Sequence, residues 1–222
     1  MFYYETHLHT MPVSRCGAVS VRNNLEFYKK KGYQGVFITN HFIDGNINVN
    51  RSLPFEQQIE FFFSDYEEGV KIGKEISISV FCGIESSYRG TDFLIYGLDK
   101  AWFLAHPEIM DLKKTQALPL MAEAGALIIQ AHPYREASYI DHIRLFPRYV
   151  HGVEVINSSR SDFENSMAKI KIIIDEILHI LPRFIHHFLI VRPIVIDFFH
   201  PGVPLCVILR PFLKHIFNDF SG

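Results

Sequence analysis

Two histidines separated by one residue, His7 and His9 in the run Glu5-Thr6-His7-Leu8-His9-Thr10, close an apolar N-terminal segment. On a strand, side chains at i and i+2 share a face and their Cα atoms lie ~6.6 Å apart, so both imidazoles can converge on one metal ion. Such a pair adds little packing at a strand end and costs desolvation unless it has a partner. Three more apolar runs end in a residue of ligand type: His41 after Val36-Phe37-Ile38-Thr39-Asn40, Glu85 after Val80-Phe81-Cys82-Gly83-Ile84, and His132 after Leu127-Ile128-Ile129-Gln130-Ala131. Imidazole suits zinc, manganese and iron, and a carboxylate can bridge two cations ~3.5–4 Å apart. Taken singly, each residue has a plainer use. A lone histidine is more often a surface or hydrogen-bonded core group, and Glu85 could cap a turn. The repeated context joins them, because four strand ends each carrying an N or O ligand would meet around one mouth.

The elements that must position these residues are legible as a strand-then-helix rhythm. Apolar spacing and turn residues predict a strand over 2–6, a helix over 19–31 stopped at Gly32, a strand over 36–39 and a helix over 55–74. A β-rich segment over 76–84 follows, with 93–96 as its hairpin partner, then a helix over 112–124 and a strand over 126–130. A short helix over 138–144, a strand over 153–156 and a helix over 163–177 complete the pattern. Continuous apolar runs of this kind come from parallel strands buried on both faces, and barrels built from them carry their chemistry at the C-terminal strand ends. His7, His9, His41, Glu85 and His132 all fall there.

At 222 residues and 48% hydrophobic, the chain suffices for one α/β unit. A net charge of -2 gives no general attraction to nucleic acid, which is bound through basic surfaces that displace phosphate counterions. The three cysteines, Cys16, Cys82 and Cys206, are widely spaced with no CxxC, which fits a reducing compartment. The start carries no basic region followed by an apolar one, so a cytoplasmic location is expected.

The strings ETHLHT, ITNH, GIE, AHPYR and GVEVIN, in that order, resemble the PHP (polymerase and histidinol phosphatase) superfamily over residues 1–168. The resemblance implies an α/β fold, a distorted (β/α)7 barrel with two or three divalent metal ions, usually zinc, manganese or iron. It also implies hydrolysis of a phosphoester by a metal-activated water. Carried over, His7 and His9 hold one metal, Glu85 bridges two, and His41 and His132 ligate the neighbouring ions. Arg135, three residues after His132, is placed to clamp a phosphate through its planar fork, or else to pair with Glu136 or Asp141. The expected substrate is a small phosphorylated metabolite, as for a histidinol phosphatase. A nuclease or nucleotidase acting on nucleic-acid ends is the alternative, although no basic groove with aromatic platforms is evident.

Three departures accompany the resemblance. Cys16, in Ser14-Arg15-Cys16-Gly17, stands where many members carry Asp or His, and could be a soft zinc ligand or a buried, inert thiol. Asp92 stands where many have His, and either ligates or shapes the turn. The third is the missing Gly-Ser-Asp-x-His strand end. Its nearest substitute, Asp197-Phe198-Phe199-His200, has a spacing that on a strand points to opposite faces. Residues 169–222 are therefore expected to be a divergent tail of the same domain or a translation past a frameshift, with the C-terminal strands missing or altered. On the latter reading the chain is an inactive metal-binding remnant. The apolar run over 184–199 is shorter than the ~20 residues of a membrane span and is interrupted by charge, so no membrane association is expected. Oligomeric state is left open.

Overall fold

The computed structural model describes residues 2–172. Its first strand, β1 (Tyr4–Leu8), leads through a loop to helix α1 (Val21–Lys30), whose N-terminus is capped by the Ser20 hydroxyl accepting from the Asn23 amide at 3.4 Å. Lys29 and Lys30 occupy the last turn, where cations suit the carbonyl end of the helix dipole. Strand β2 (Gly35–Ile38) is followed by α2 (Phe55–Ile76), which starts after Pro54 and buries Ile59, Phe62, Phe63 and Ile72. That helix packs closely on the sheet: a Cβ at Gly73 would lie 2.6 Å from the Ile78 carbonyl oxygen, so no larger residue fits without moving backbone.

Strands β3 (Ser79–Tyr88) and β4 (Thr91–Tyr96) form the expected hairpin, longer than the apolar runs suggested, so that Glu85, expected at a strand end, lies inside β3 opposite Leu94 because the antiparallel pairing continues to Tyr88. Helices α3 (Lys100–Ala105) and α4 (Lys114–Glu123), strands β5 (Leu127–Ala131) and β6 (Gly152–Val153), and a helical stretch over 162–172 complete the described chain. The six strands form one sheet in sequence order. All adjacent pairs are parallel except those of β4, which runs against both β3 and β5. The C-terminal ends of β1, β2, β3, β5 and β6 thus lie along one edge.

That sheet is strongly curled. In a flat sheet, strands ~4.8 Å apart would separate β1 from β6, five steps away, by ~24 Å. Instead His7 of β1 lies 2.9 Å from Glu154, the residue after β6, and the Tyr96 hydroxyl of β4 donates to the Thr6 carbonyl at 2.8 Å. The architecture is therefore mixed α/β with a half-barrel sheet curling toward closure. Its main core packs Phe42, Phe62, Phe63 and Phe103 with Leu118 and Ile128.

Two expected elements differ. Residues 138–144 form turns and not a helix, because the segment is spent on long-range contacts: the Arg144 carbonyl accepts from Gln130 at 2.7 Å, and its guanidinium donates to the Arg89 carbonyl at 3.1 Å. The strand expected over 153–156 is short among the described residues: Gly152–Val153 pair with β5, and Glu154 follows in a bridge position with its amide donating to the Gln130 carbonyl at 2.9 Å. The tail motifs, including Asp197 and His200, and any seventh strand fall outside the described residues.

Candidate metal centre

Glu85 is the hub of the cleft. At 1% exposure, its Oε1 lies 3.2 Å from His7 Nε2 and 3.1 Å from His132 Nε2, while its Oε2 lies 3.0 Å from His9 Nε2 and 2.9 Å from His41 Nδ1. One carboxylate oxygen faces one pair of imidazoles and the other oxygen faces a second pair. The convergence follows from local structure: His7 near the end of β1 and His9 just past it come to one place, a parallel bridge sets His41 beside Glu85, and His132 directly follows β5.

The five residues expected as ligands are thus brought to one place. Their ligand atoms form two tight groups, His7, Glu85 and His132 in one, and His9, His41 and Cys16 in the other, with the atoms of each group within 4.8 Å of one another. A fit to metal is visible in the unsatisfied atoms. His41 Nδ1 and Glu85 Oε2 are buried and 2.9 Å apart, yet among the described residues neither makes an aligned hydrogen bond. Buried polar atoms are normally paired, so lone pairs aimed at shared space fit a cation held between them.

The electrostatics agree. Burial opposes charge on His7, yet Glu85 and Glu154 hold its pKa well above the ordinary value. Burial likewise opposes charge on Glu85, yet His7, His132 and His41 hold its pKa well below the carboxylate range. His41 is raised to about 10 against its own burial by contacts with Cys16 and Glu85. The cluster demands positive charge at its centre, which protons supply in the metal-free fold and divalent ions would supply in their place.

Cys16 is exposed and not buried as the inert-thiol reading required, and its Sγ lies 2.9 Å from His9 Nδ1. Burial pushes its pKa up, but contacts with His41 and His9 outweigh this and bring it down to about 6.

A layer of fixed groups supports the cluster. Glu154, 1% exposed, sits 2.9 Å from His7 Nδ1 and accepts from the His132 amide at 2.8 Å and from Asn157 at 3.1 Å. His132 adopts φ 26°, a left-handed conformation that costs a non-glycine residue on the order of 1–3 kcal/mol and is held here by Glu154. Asp65, buried on α2, accepts from Thr10 at 2.7 Å, Asn40 at 3.1 Å and Val13 at 3.3 Å, tying the loop after His9 to the residue before His41. Neither acid stood out in the sequence, although GVEVIN repeats the strand-end pattern and Asp65 shares helical spacing with Phe62, Gly69 and Ile72.

The cluster floors an open cavity of about 910 Å³ whose rim includes Arg89, Arg135, Tyr139 and Arg160. Arg135 pairs with neither Glu136 nor Asp141. Its Nη1 donates to Asp92 at 3.0 Å, it also bonds Tyr139, and Asp141 is engaged by Arg144. Asp92, 3% exposed, anchors Arg135 and lies 3.7 Å from His132 Nε2.

No family model and no curated protein matches the sequence. Solved structures do. A structure from Bifidobacterium adolescentis, described as a candidate metal-dependent phosphoesterase, aligns over 75% of this chain and 82% of its own, with TM-score 0.52 and 11% identity. A two-domain protein from Bacteroides vulgatus, described as containing a predicted PHP-like metal-dependent phosphoesterase, aligns with TM-score 0.49 and 14% identity over 68% of this chain, which spans 43% of that protein. An amidohydrolase from Chromobacterium violaceum, solved with sulfate and no metal, gives TM-score 0.49 and 13% identity over 74% of this chain and 80% of its own. Over part of its length, then, the chain shares its fold with a structure described as a candidate metal-dependent phosphoesterase.

Proposed function

We propose that the protein is a metal-dependent phosphoesterase acting on a small phosphorylated molecule. The observation that carries this reading is the Glu85 carboxylate, each oxygen of which faces its own pair of imidazoles at the floor of an arginine-rimmed cleft. His7, His9, His41, Glu85 and His132 would hold two or three divalent ions, zinc, manganese or iron. Such ions supply an activated water and neutralise charge on the phosphoryl oxygens.

The remaining steps belong to this chain's residues. Arg135, fixed by Asp92 at 3.0 Å, lines the cavity and would bind the phosphate there. Glu154 holds the His7 ring through Nδ1, so that Nε2 points into the cluster. The cleft's preference for an anion comes from Arg135, Arg89 and Arg160 in its lining. Among the described residues no helix is long and apolar enough to cross a membrane.

The test is phosphate release by the full chain from small phosphomonoesters, histidinol phosphate included, compared with end-labelled oligonucleotides, with and without chelator. Chelator-sensitive release from the monoesters supports the reading. Cleavage confined to oligonucleotide ends selects the nuclease alternative. No turnover with any substrate, together with a Gly-Ser-Asp-x-His string in another reading frame of the gene, selects the inactive remnant.

A further inference from the structure

We propose that Cys16 is a thiolate ligand of the metal position shared with His9 and His41, and that it makes this position selective for a thiophilic divalent cation such as zinc. The inference rests on the metal-dependent reading above and deepens it by separating the two halves of the centre chemically.

The geometry around Cys16 is specific. Its Sγ is 2.9 Å from His9 Nδ1, and the ligand atoms of Cys16, His9 and His41 all lie within 4.8 Å of one another. The same space is bordered by two buried atoms outside the cysteine itself. Among the described residues, Glu85 Oε2 and His41 Nδ1 are buried without an aligned hydrogen-bond partner, in side chains whose residues are 1% and 9% exposed. The loop carrying Cys16 is also pressed onto the strand end. A Cβ at Gly17 would lie 2.5 Å from the Thr10 carbonyl carbon and oxygen, so the backbone beside the cysteine comes as near to the end of β1 as sterics permit. This close approach presents Cys16 to His9.

The donor sets then differ. Cys16, His9, His41 and Glu85 Oε2 offer sulfur, two nitrogens and an oxygen, four donors of the kinds zinc takes. His7, His132 and Glu85 Oε1 offer nitrogen and oxygen only, a set without sulfur that also accommodates manganese or iron. Thiolate prefers softer cations, so the sulfur side discriminates against manganese while the other side does not.

The experiment loads the full-length chain with Co²⁺. Visible d–d absorption reports bound cobalt whatever its ligands, and a near-ultraviolet charge-transfer band reports a cobalt–thiolate bond. The expected result is both signals in the parent protein, loss of the near-ultraviolet band with retained visible absorption in Cys16→Ser, and both signals retained in Cys82→Ser. A Cys16→Asp variant, which keeps a ligand of harder character, should hold cobalt without the charge-transfer band and shift competition between zinc and manganese toward manganese. Visible absorption with no charge-transfer band, or a band that survives Cys16→Ser, overturns the proposal and leaves the metal-dependent reading intact, the cysteine then serving only as a neighbour that orients His9. Absence of both signals overturns both.

Discussion

The Asp65 carboxylate on α2 accepts a hydrogen bond from Asn40 at 3.1 Å, and Asn40 is the residue that precedes His41. The same oxygen accepts from Thr10 at 2.7 Å, directly after His9, so one buried acid sets the relative position of two strand ends. In Asp65→Ala, three buried donors on Thr10, Val13 and Asn40 lose their acceptor. Each unsatisfied group costs about 1–3 kcal/mol, and the expected loss in urea unfolding is about 3 kcal/mol or more. Asp65→Asn keeps one acceptor oxygen and should lose less. Equal stability of Asp65→Ala and the parent would remove Asp65 from this role.

Glu154 acts on the centre through His7 and the His132 amide. Removing an outer partner of a ligating histidine lowers metal affinity by roughly 10–100-fold. Glu154→Gln should therefore weaken zinc binding in a competition titration by that order while leaving the circular dichroism of the fold in place. Unchanged affinity would show that His7 needs no such support.

Much of this site was legible because strand ends are. An apolar run closed by His or Glu is a local pattern, and His7, His9, His41, Glu85 and His132 each carry it. Glu154 carries it too, but among the described residues its strand is short, Gly152–Val153 with a bridge at Glu154, and does not stand out from a loop. Asp65 was hidden differently. It lies inside an amphipathic helix among Glu67, Glu68 and other polar residues, and only its spacing from Phe62 and Gly69 marks the buried face. Cys16 stands out in the sequence, but its role stays open there between ligand and inert thiol, because its place depends on the Gly17–Thr10 approach, which joins the two sides of a loop. The helix expected over 138–144 failed for the opposite reason: local spacing was favourable, while Gln130 and Arg89 draw Arg144 into tertiary contacts.

Acidity should couple to stability with opposite sign in the two metal states. In the metal-free fold, His41 is raised to about 10 from 6.5 because contacts with Cys16 and Glu85 overcome its burial, and His7 is raised as well by Glu85 and Glu154. A raised histidine stabilises fully below its unfolded pKa of 6.5 and loses that contribution as pH climbs through the folded value. The lowered Glu85 contributes above its unfolded value of 4.5 and loses this as pH falls through its depressed folded value. Between about pH 6.5 and 10 these histidines should therefore make the metal-free protein melt at progressively lower temperature, a trend that Cys16 opposes below about pH 9, because its thiol, lowered to about 6 from 9, contributes more as pH rises. With zinc present the trend should reverse, because protons compete with the ion for the same nitrogens. Parallel slopes in the two melting series would contradict this coupling.

Arg135 should matter for substrate more than for fold. It is partly exposed, and its anchor Asp92 is shared with the neighbourhood of His132. Arg135→Lys keeps the charge but loses the bidentate fork. The expected outcome is a higher KM for a phosphomonoester with metal content unchanged. A variant with unaltered KM would place phosphate recognition on Arg89 or Arg160 instead.

The measurement closest to the core of the proposal is elemental analysis of the full chain purified without chelator, set beside Glu85→Gln. If each Glu85 oxygen serves its own ion, the parent holds two or more ions per chain and the variant holds fewer, with chelator-sensitive phosphate release lost in parallel. A parent chain with no bound ion, or a Glu85→Gln variant that keeps the full complement, would contradict a centre bridged by that carboxylate.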